Sequence, residues 1–242
     1  MTVAPAPPRR VGHKGAAALV PGNTRESFEA ALGLGVDMIE FDVLRLPDGR
    51  IVVAHDEGEA TERESLGLEE ALDLFAADAY ADVELDVDLK NAGYEDEVVA
   101  ALAARGLVER SLVASNYRAS LDRIGELEPG LRRGWSVPRA SRDYTAMALV
   151  AAPARGVVLG MRAWLPGAAA RALREGRCEA LMAHTGLVSR RLVAAVHAEG
   201  GLLFVWTVDD ARRIATLTAL GVDGIITNDP RLWNDDAGSW AG

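Results

Sequence analysis

The chain has 242 residues, 49% hydrophobic and 26% charged, with 36 acidic against 26 basic residues and a net charge of −10. That composition excludes disorder, collagen and coiled coil and leaves enough apolar residues for a sizeable core. No apolar run reaches the ~18 residues of a membrane-spanning helix, and no cluster of Lys and Arg marks a nucleic-acid surface. An anionic substrate is still allowed, because a bound cation reverses the field locally.

Met1 to Arg10 carries prolines and two arginines with no apolar stretch behind them, so a secretory signal is either missing or already removed. Short β-rich runs then alternate with stretches of helical period, the pattern of a parallel sheet covered by helices. Strands are expected near Val11 to His13, Met38 to Val43, Val83 to Leu89, Leu112 to Ser115 and Arg132 to Ser136. Three more are expected near Glu179 to Ala183, Leu202 to Thr207 and Gly224 to Thr227. Eight parallel strands close a barrel, and barrels commonly run to ~250 residues as one unit. Ile51 to Ala54, after the turn Pro47-Asp48-Gly49, reads as a hairpin strand outside the barrel. Val157 to Met161 fits strand or helix and is placed in a helix, since the barrel would otherwise hold nine strands. Asn23 with Glu26 reads as a capping box opening a helix that ends at Gly35, and Ser189 opens another. The acidic stretch Glu57 to Glu64 reads as a solvated loop. Cys178 is the one cysteine, which forbids an intrachain disulfide and fits a reducing compartment; the expected location is cytoplasmic.

In such barrels function sits at the carboxyl ends of the strands. The polar residues there are His13-Lys14, Glu40 and Asp42, His55-Asp56, Asp86, Asp88 and Lys90, Asn116, His184 and Trp206. Residues two apart on a strand share a face, so Glu40 and Asp42 point one way while Ile39 and Phe41 point the other. Two adjacent carboxylates repel unless a cation or proton compensates, and hard oxygen ligands favour Mg²⁺ or Ca²⁺. Alternatively, Lys or Arg holds the pair. Asp86, Asp88 and Lys90 repeat the pattern on the next barrel strand. A closed barrel has no wet edge, so this charged inner face favours a lined site. His13 and His55, each at a strand end, suit proton transfer near neutrality. His197 reads as a packing or surface residue, and His184 as either a pocket residue or a loop tie. Cys178 has no catalytic role. Trp206 either fills the barrel or walls the pocket, in the second case joining the substrate-binding residues.

The ordered motifs resemble one family. Val11-Gly12-His13-Lys14-Gly15, Pro21-Gly22-Asn23-Thr24, Ile39-Glu40-Phe41-Asp42-Val43 and Val53-Ala54-His55-Asp56 follow one another. Asp88-Leu89-Lys90, Trp206-Thr207-Val208 and Gly221-Val222-Asp223-Gly224-Ile225-Ile226-Thr227-Asn228-Asp229-Pro230 complete the set. Together they resemble the glycerophosphodiester phosphodiesterases from about residue 11 to residue 233, with tails at 1–10 and 234–242. The resemblance implies a (β/α)8 TIM barrel that cleaves a small glycerophosphodiester to glycerol 3-phosphate and an alcohol with a divalent cation. It implies His13 and His55 as the acid–base pair, and Glu40, Asp42 and Asp88 as metal ligands. Lys90 and Lys14 would face the phosphate.

The sequence departs from the family pattern in four places. Lys14 stands where arginine is usual and lacks its two-pronged grip. Gly22 replaces the usual glutamate of Pro-Glu-Asn-Thr. Asp88 is one methylene shorter than the usual glutamate, so the cation shifts or Asp86 assists. The family's small insertion after His55-Asp56 is largely absent. These changes bear on the glycerol specificity more than on the cation or the histidines. Rival readings are a related phosphodiesterase acting on another diester such as a lysophospholipid, or a non-catalytic barrel that binds phosphodiesters or a metal. Sphingomyelinase D toxins share the histidine pair but are secreted and disulfide-bonded. Bacterial phosphatidylinositol-specific phospholipases C need no Glu-x-Asp cation pair.

Overall fold

A barrel strand meets helices on its outer face and other strands' side chains within, so it stays apolar except where the interior receives polar groups. The computed structural model, which describes residues 6–138 and 151–233, follows this rule strand by strand. Its strands are β1 (Arg9–Gly12), β2 (Met38–Arg45), β3 (Ile51–Val53), β4 (Glu84–Leu89) and β5 (Ser111–Ser115). They continue as β6 (Arg132–Val137), β7 (Ala180–His184), β8 (Leu202–Trp206) and β9 (Gly224–Thr227). All but β3 pair in parallel in the order β1-β2-β4-β5-β6-β7-β8-β9, and β9 returns to β1 to close an eight-stranded barrel. All eight expected strands are present, and the fold is a (β/α)8 barrel. Strand β3 lies outside it, antiparallel to the end of β2, as the Pro47-Asp48-Gly49 turn predicts.

Helices α1 (Arg25–Gly33), α2 (Glu57–Glu62), α3 (Leu68–Phe75), α4 (Glu95–Ala104) and α5 (Arg118–Leu127) cover the first half. Helices α6 (Ala151–Arg174), α7 (Arg190–His197) and α8 (Ala211–Leu220) cover the second, and the ambiguous run Val157 to Met161 lies within α6. No helix among the described residues is long and apolar enough to cross a membrane. The tails expected at 234–242 and over residues 1–5 lie outside the described residues.

Alternation along β2 and β4 sorts side chains as expected. Ile39, Phe41, Val43, Leu85, Val87 and Leu89 join the outer core under the helices. There Phe28, Phe41 and Phe75 pack with ring centroids 4.9 to 6.0 Å apart, each full burial stabilising by roughly 1.5–3 kcal/mol. The interior is filled by Val11, Met38, Leu112, Ala180, Met182 and Phe204 among others. Met38 is followed on the same face by Glu40 and Asp42, so the filling turns acidic toward the carboxyl ends of the strands.

Two local expectations are corrected. Helix α1 is capped by Thr24, whose hydroxyl accepts from Ser27 N, and not by Asn23. Asn23 takes a left-handed conformation (φ 59°) and turns its amide inward. The acidic stretch from Glu57 is the short helix α2, capped by Asp56, and the segment between β3 and α3 holds no larger insertion. Ser189 caps α7 as expected.

Candidate active site

The loop after β1 builds one wall of the site. His13 N donates to Thr227 O (2.8 Å) and Lys14 N to Glu40 Oε2 (2.8 Å), pinning the loop to the seam between β9 and β2. Lys14 sits at φ 50°, and Gly15 follows at φ 84°. Left-handed backbone at a lysine costs of order 1–3 kcal/mol and persists only where its surroundings enforce it. Any side chain at Gly15 would run into the Ser27 backbone. Asn23 closes the loop: its Nδ2 donates to Asp42 Oδ2 (2.9 Å) and its Oδ1 accepts from Asp42 N (3.1 Å).

Glu40 is level with Asp86, and Asp42 with Asp88, across the β2–β4 pairing. Oxygens of Glu40, Asp42 and Asp88 all lie within 4.8 Å of one another, the single such cluster of possible metal ligands among the described residues. Two lysines stand against them. Lys90 Nζ is 2.5 Å from Asp42 Oδ1 and 2.6 Å from Asp88 Oδ2, and Lys14 Nζ is 3.2 Å from Asp42 Oδ2. Burial pushes Glu40 well above the usual carboxylate range, helped by the Asp42 charge. Burial acts on Asp42 too, but Lys90 and Lys14 win and hold it well below that range. Burial likewise raises Asp86 and Asp88. For Lys90 burial opposes the charge, yet Asp42 and Asp88 keep the ammonium well above its ordinary value. Four carboxyls thus face two ammoniums, and burial disfavours the ionised form of Glu40, Asp86 and Asp88.

His13 faces this cluster, with Nε2 3.8 Å from Glu40 Oε2. Its other nitrogen, Nδ1, is 2.6 Å from Asn228 Oδ1. Asn228 Nδ2 donates in turn to Asp209 Oδ2 (2.6 Å), which fixes which end of the amide meets the imidazole. An amide oxygen only accepts, so the proton of neutral His13 sits on Nδ1 and the lone pair of Nε2 faces the acidic cluster. Burial pushes this imidazole down to about 4. His55, just beyond β3, is exposed; its Nδ1 lies 3.1 Å from Asp56 Oδ2. The Glu59 amide and His55 hold the Asp56 carboxyl below its usual range.

Trp206 is half-buried, donates from Nε1 to Met182 O (3.1 Å) and meets His184 edge-on at 5.3 Å. His184 Nδ1 accepts from Gly186 N, the loop tie. His197 bonds Asp223 on the surface. The Asn116 amide, oriented to donate, meets Ser136 O (2.9 Å). Cys178 is buried, its thiol pushed by burial up to about 11.

Four residues escaped the sequence reading in these roles: Asn23, Glu59, Asp209 and Asn228. Asn228 and Asp209 lie 215 and 196 positions from His13 in the chain, so no local period could link them. Glu59 reaches in from α2 and accepts from His55 N (2.9 Å).

The family model for the glycerophosphoryl diester phosphodiesterase family matches residues 13–66 and 138–232. The glycerophosphodiester phosphodiesterase of Caldanaerobacter subterraneus subsp. tengcongensis is 26% identical over 256 residues, 91% of this chain and 93% of that protein. That of Bacillus altitudinis is 27% identical over 253 residues, 90% of this chain and 93% of its own length. Among solved structures, an Oleispira antarctica phosphodiesterase in complex with the product sn-glycerol-3-phosphate has a TM-score of 0.68 at 20% identity. The alignment covers 95% of this chain and 96% of that one, and shows the common fold.

Proposed function

The chain belongs to the glycerophosphoryl diester phosphodiesterase family, and from its site we propose that it hydrolyses glycerophosphodiesters to sn-glycerol 3-phosphate and an alcohol with a divalent cation, Mg²⁺ or Ca²⁺. The donor set suits such an ion. Three carboxylates with oxygens within 4.8 Å match the span of hard-oxygen ligands around a cation bound at 2.0–2.6 Å. Asp88 Oδ1 is buried without a hydrogen-bond partner among the described residues. Glu40, Asp42 and Asp88 would hold the ion, which when bound offsets charge on the phosphoryl oxygens.

The remaining roles fall to the chain's own groups. Lys14 and Lys90 add fixed positive charge beside the diester. His13, neutral and with the Nε2 lone pair facing the cluster, takes the proton of the attacking water, or of the substrate's neighbouring hydroxyl to give a cyclic phosphate that water then opens. His55, beside the Asp56 carboxylate, protonates the leaving alcohol. Trp206, at the end of β8 beside His184, would bound the substrate on that side. A single buried cysteine supports a reducing, cytoplasmic setting. The observation that carries the reading is the imidazole of His13 aimed at the Glu40–Asp42–Asp88 cluster.

The test is release of glycerol 3-phosphate from glycerophosphocholine and glycerophosphoethanolamine with Mg²⁺, Ca²⁺ or chelator, for the wild type, His13→Ala and His55→Ala. Cation-dependent release abolished in both variants supports the assignment. Folded, cation-loaded protein that releases nothing from either diester counts against it.

A further inference from the structure

Helix α2 and the residue just beyond it bring to the mouth a pair that the reaction as drawn does not use. Arg63 Nη2 donates to the Gly22 carbonyl and to the Glu59 carboxylate. Glu59 is itself held from three sides, by His55 N (2.9 Å), Asn23 Nδ2 (3.4 Å) and Lys14 Nζ (3.8 Å). The guanidinium is thus anchored at one nitrogen, while Nε and Nη1 donate to no acceptor among the described residues. Arg63 lines a cavity of about 350 Å³ together with His13, Lys14, Gly22 and Asn228. Gly22 packs closely on this wall, where a Cβ would come within 2.7 Å of Lys14 Cβ and 3.0 Å of Ala17 Cβ.

We propose that Arg63, positioned by Glu59, is a specificity-determining residue that receives an oxygen-rich arm of the diester in this cavity. A guanidinium offers a planar fork of donors suited to paired hydroxyl or carboxylate oxygens, and it repels a quaternary ammonium. Anchoring at Nη2 leaves the fork's other donors oriented before substrate arrives, which lowers the ordering cost. Glu62, which also lines the cavity, is exposed, and its opposing charge is screened by solvent. The arm is either the glycerol common to all substrates or a hydroxylated leaving alcohol. The inference rests on the hydrolysis proposed above.

The test compares glycerophosphoinositol and glycerophosphocholine with the wild type, Arg63→Ala and Arg63→Lys, with thermal melting to verify folding. Loss of charged hydrogen bonds predicts a KM for glycerophosphoinositol raised about 10–100-fold in Arg63→Ala with kcat within about threefold, and a smaller rise in Arg63→Lys. A parallel rise for glycerophosphocholine assigns the cavity to the glycerol arm; a rise for the inositol diester alone assigns it to the leaving alcohol. An unchanged KM for both substrates in folded Arg63→Ala overturns the inference, as does a fall in kcat with KM unchanged. If the wild type turns over neither diester, it is the hydrolysis reading that fails. Calorimetric binding of glycerophosphoinositol then decides Arg63: weaker binding to Arg63→Ala supports the role, and equal binding overturns it.

Discussion

The two bonds behind His13 can be tested by removing either one. In Asn228→Ala the imidazole loses the acceptor that keeps its proton on Nδ1, a contact of 2.6 Å. One neutral hydrogen bond contributes about 0.5–1.5 kcal/mol net, which converts to a loss of about 2–13-fold in correctly poised base. Asp209→Ala should do at least as much, although Asp209 does not touch the imidazole. Without its carboxylate the Asn228 amide is free to turn over, so that Nδ2 donates to His13 and the ring proton moves to Nε2, blocking the lone pair. The readout is kcat for glycerol 3-phosphate release at saturating cation, with melting temperature as the control. Asp209 also accepts from Thr227 Oγ1 (3.0 Å) and Asn228 N (2.8 Å), so its loss should lower the melting temperature as well, and kcat is compared at a temperature where the variant is folded. A folded Asp209→Ala protein with wild-type kcat would refute the relay. So would an Asn228→Ala protein as inactive as His13→Ala, since that would place Asn228 itself among the reacting groups.

Further outcomes follow from the charges around it. Because burial lowers His13 to about 4, the imidazole stays neutral well below its unperturbed range. The acid limb of kcat/KM should therefore fall only below about pH 5; a limb centred near 6.5 would contradict its role as base. Asp86 is buried, its Oδ1 has no hydrogen-bond partner among the described residues, and burial with the Asp88 charge raises its pKa, so its ionised form is disfavoured in the folded protein relative to the unfolded chain. Asp86→Asn should stabilise by about 1–3 kcal/mol at pH 7, with the gain shrinking as the pH falls toward the unfolded pKa near 3.9; urea unfolding at both pH values checks it, and no gain at pH 7 refutes it. Lys90→Met should destabilise the cation-free protein by about 3–5 kcal/mol, because Asp42 and Asp88 lose their shared ammonium. Added Mg²⁺ or Ca²⁺ should then raise its melting temperature more than that of the wild type; equal shifts would show that Lys90 does not balance the cluster.

The barrel was legible because each inner strand is a short apolar run, and the Glu-x-Asp and Asp-x-Asp-x-Lys spacings assigned whole side-chain sets to one face. The gathering of Glu40, Asp42 and Asp88 toward the strand ends was legible from the same spacings. Asn23 was misread because asparagine serves equally as a helix cap and in left-handed backbone, and the neighbouring Thr24 was free to take the cap. Glu59 and Arg63 looked like solvated charge, since nothing in a run of glutamates says which one folds back over a neighbouring loop. Asn228 lay within a recognised motif, yet its contact with His13 exists only because β9 returns to β1.

That return has a consequence for how the protein comes into being. His13, Lys14, Glu40 and Asp42 leave the ribosome early, but the backbone N–H of His13 donates to Thr227 O and its Nδ1 to Asn228 Oδ1. The early residues alone hold the carboxylates of β2 with the His13 ring unanchored. The site proposed above is complete only when the last strand closes the seam, so a nascent or prematurely ended chain lacking residues 224–228 should release no glycerol 3-phosphate.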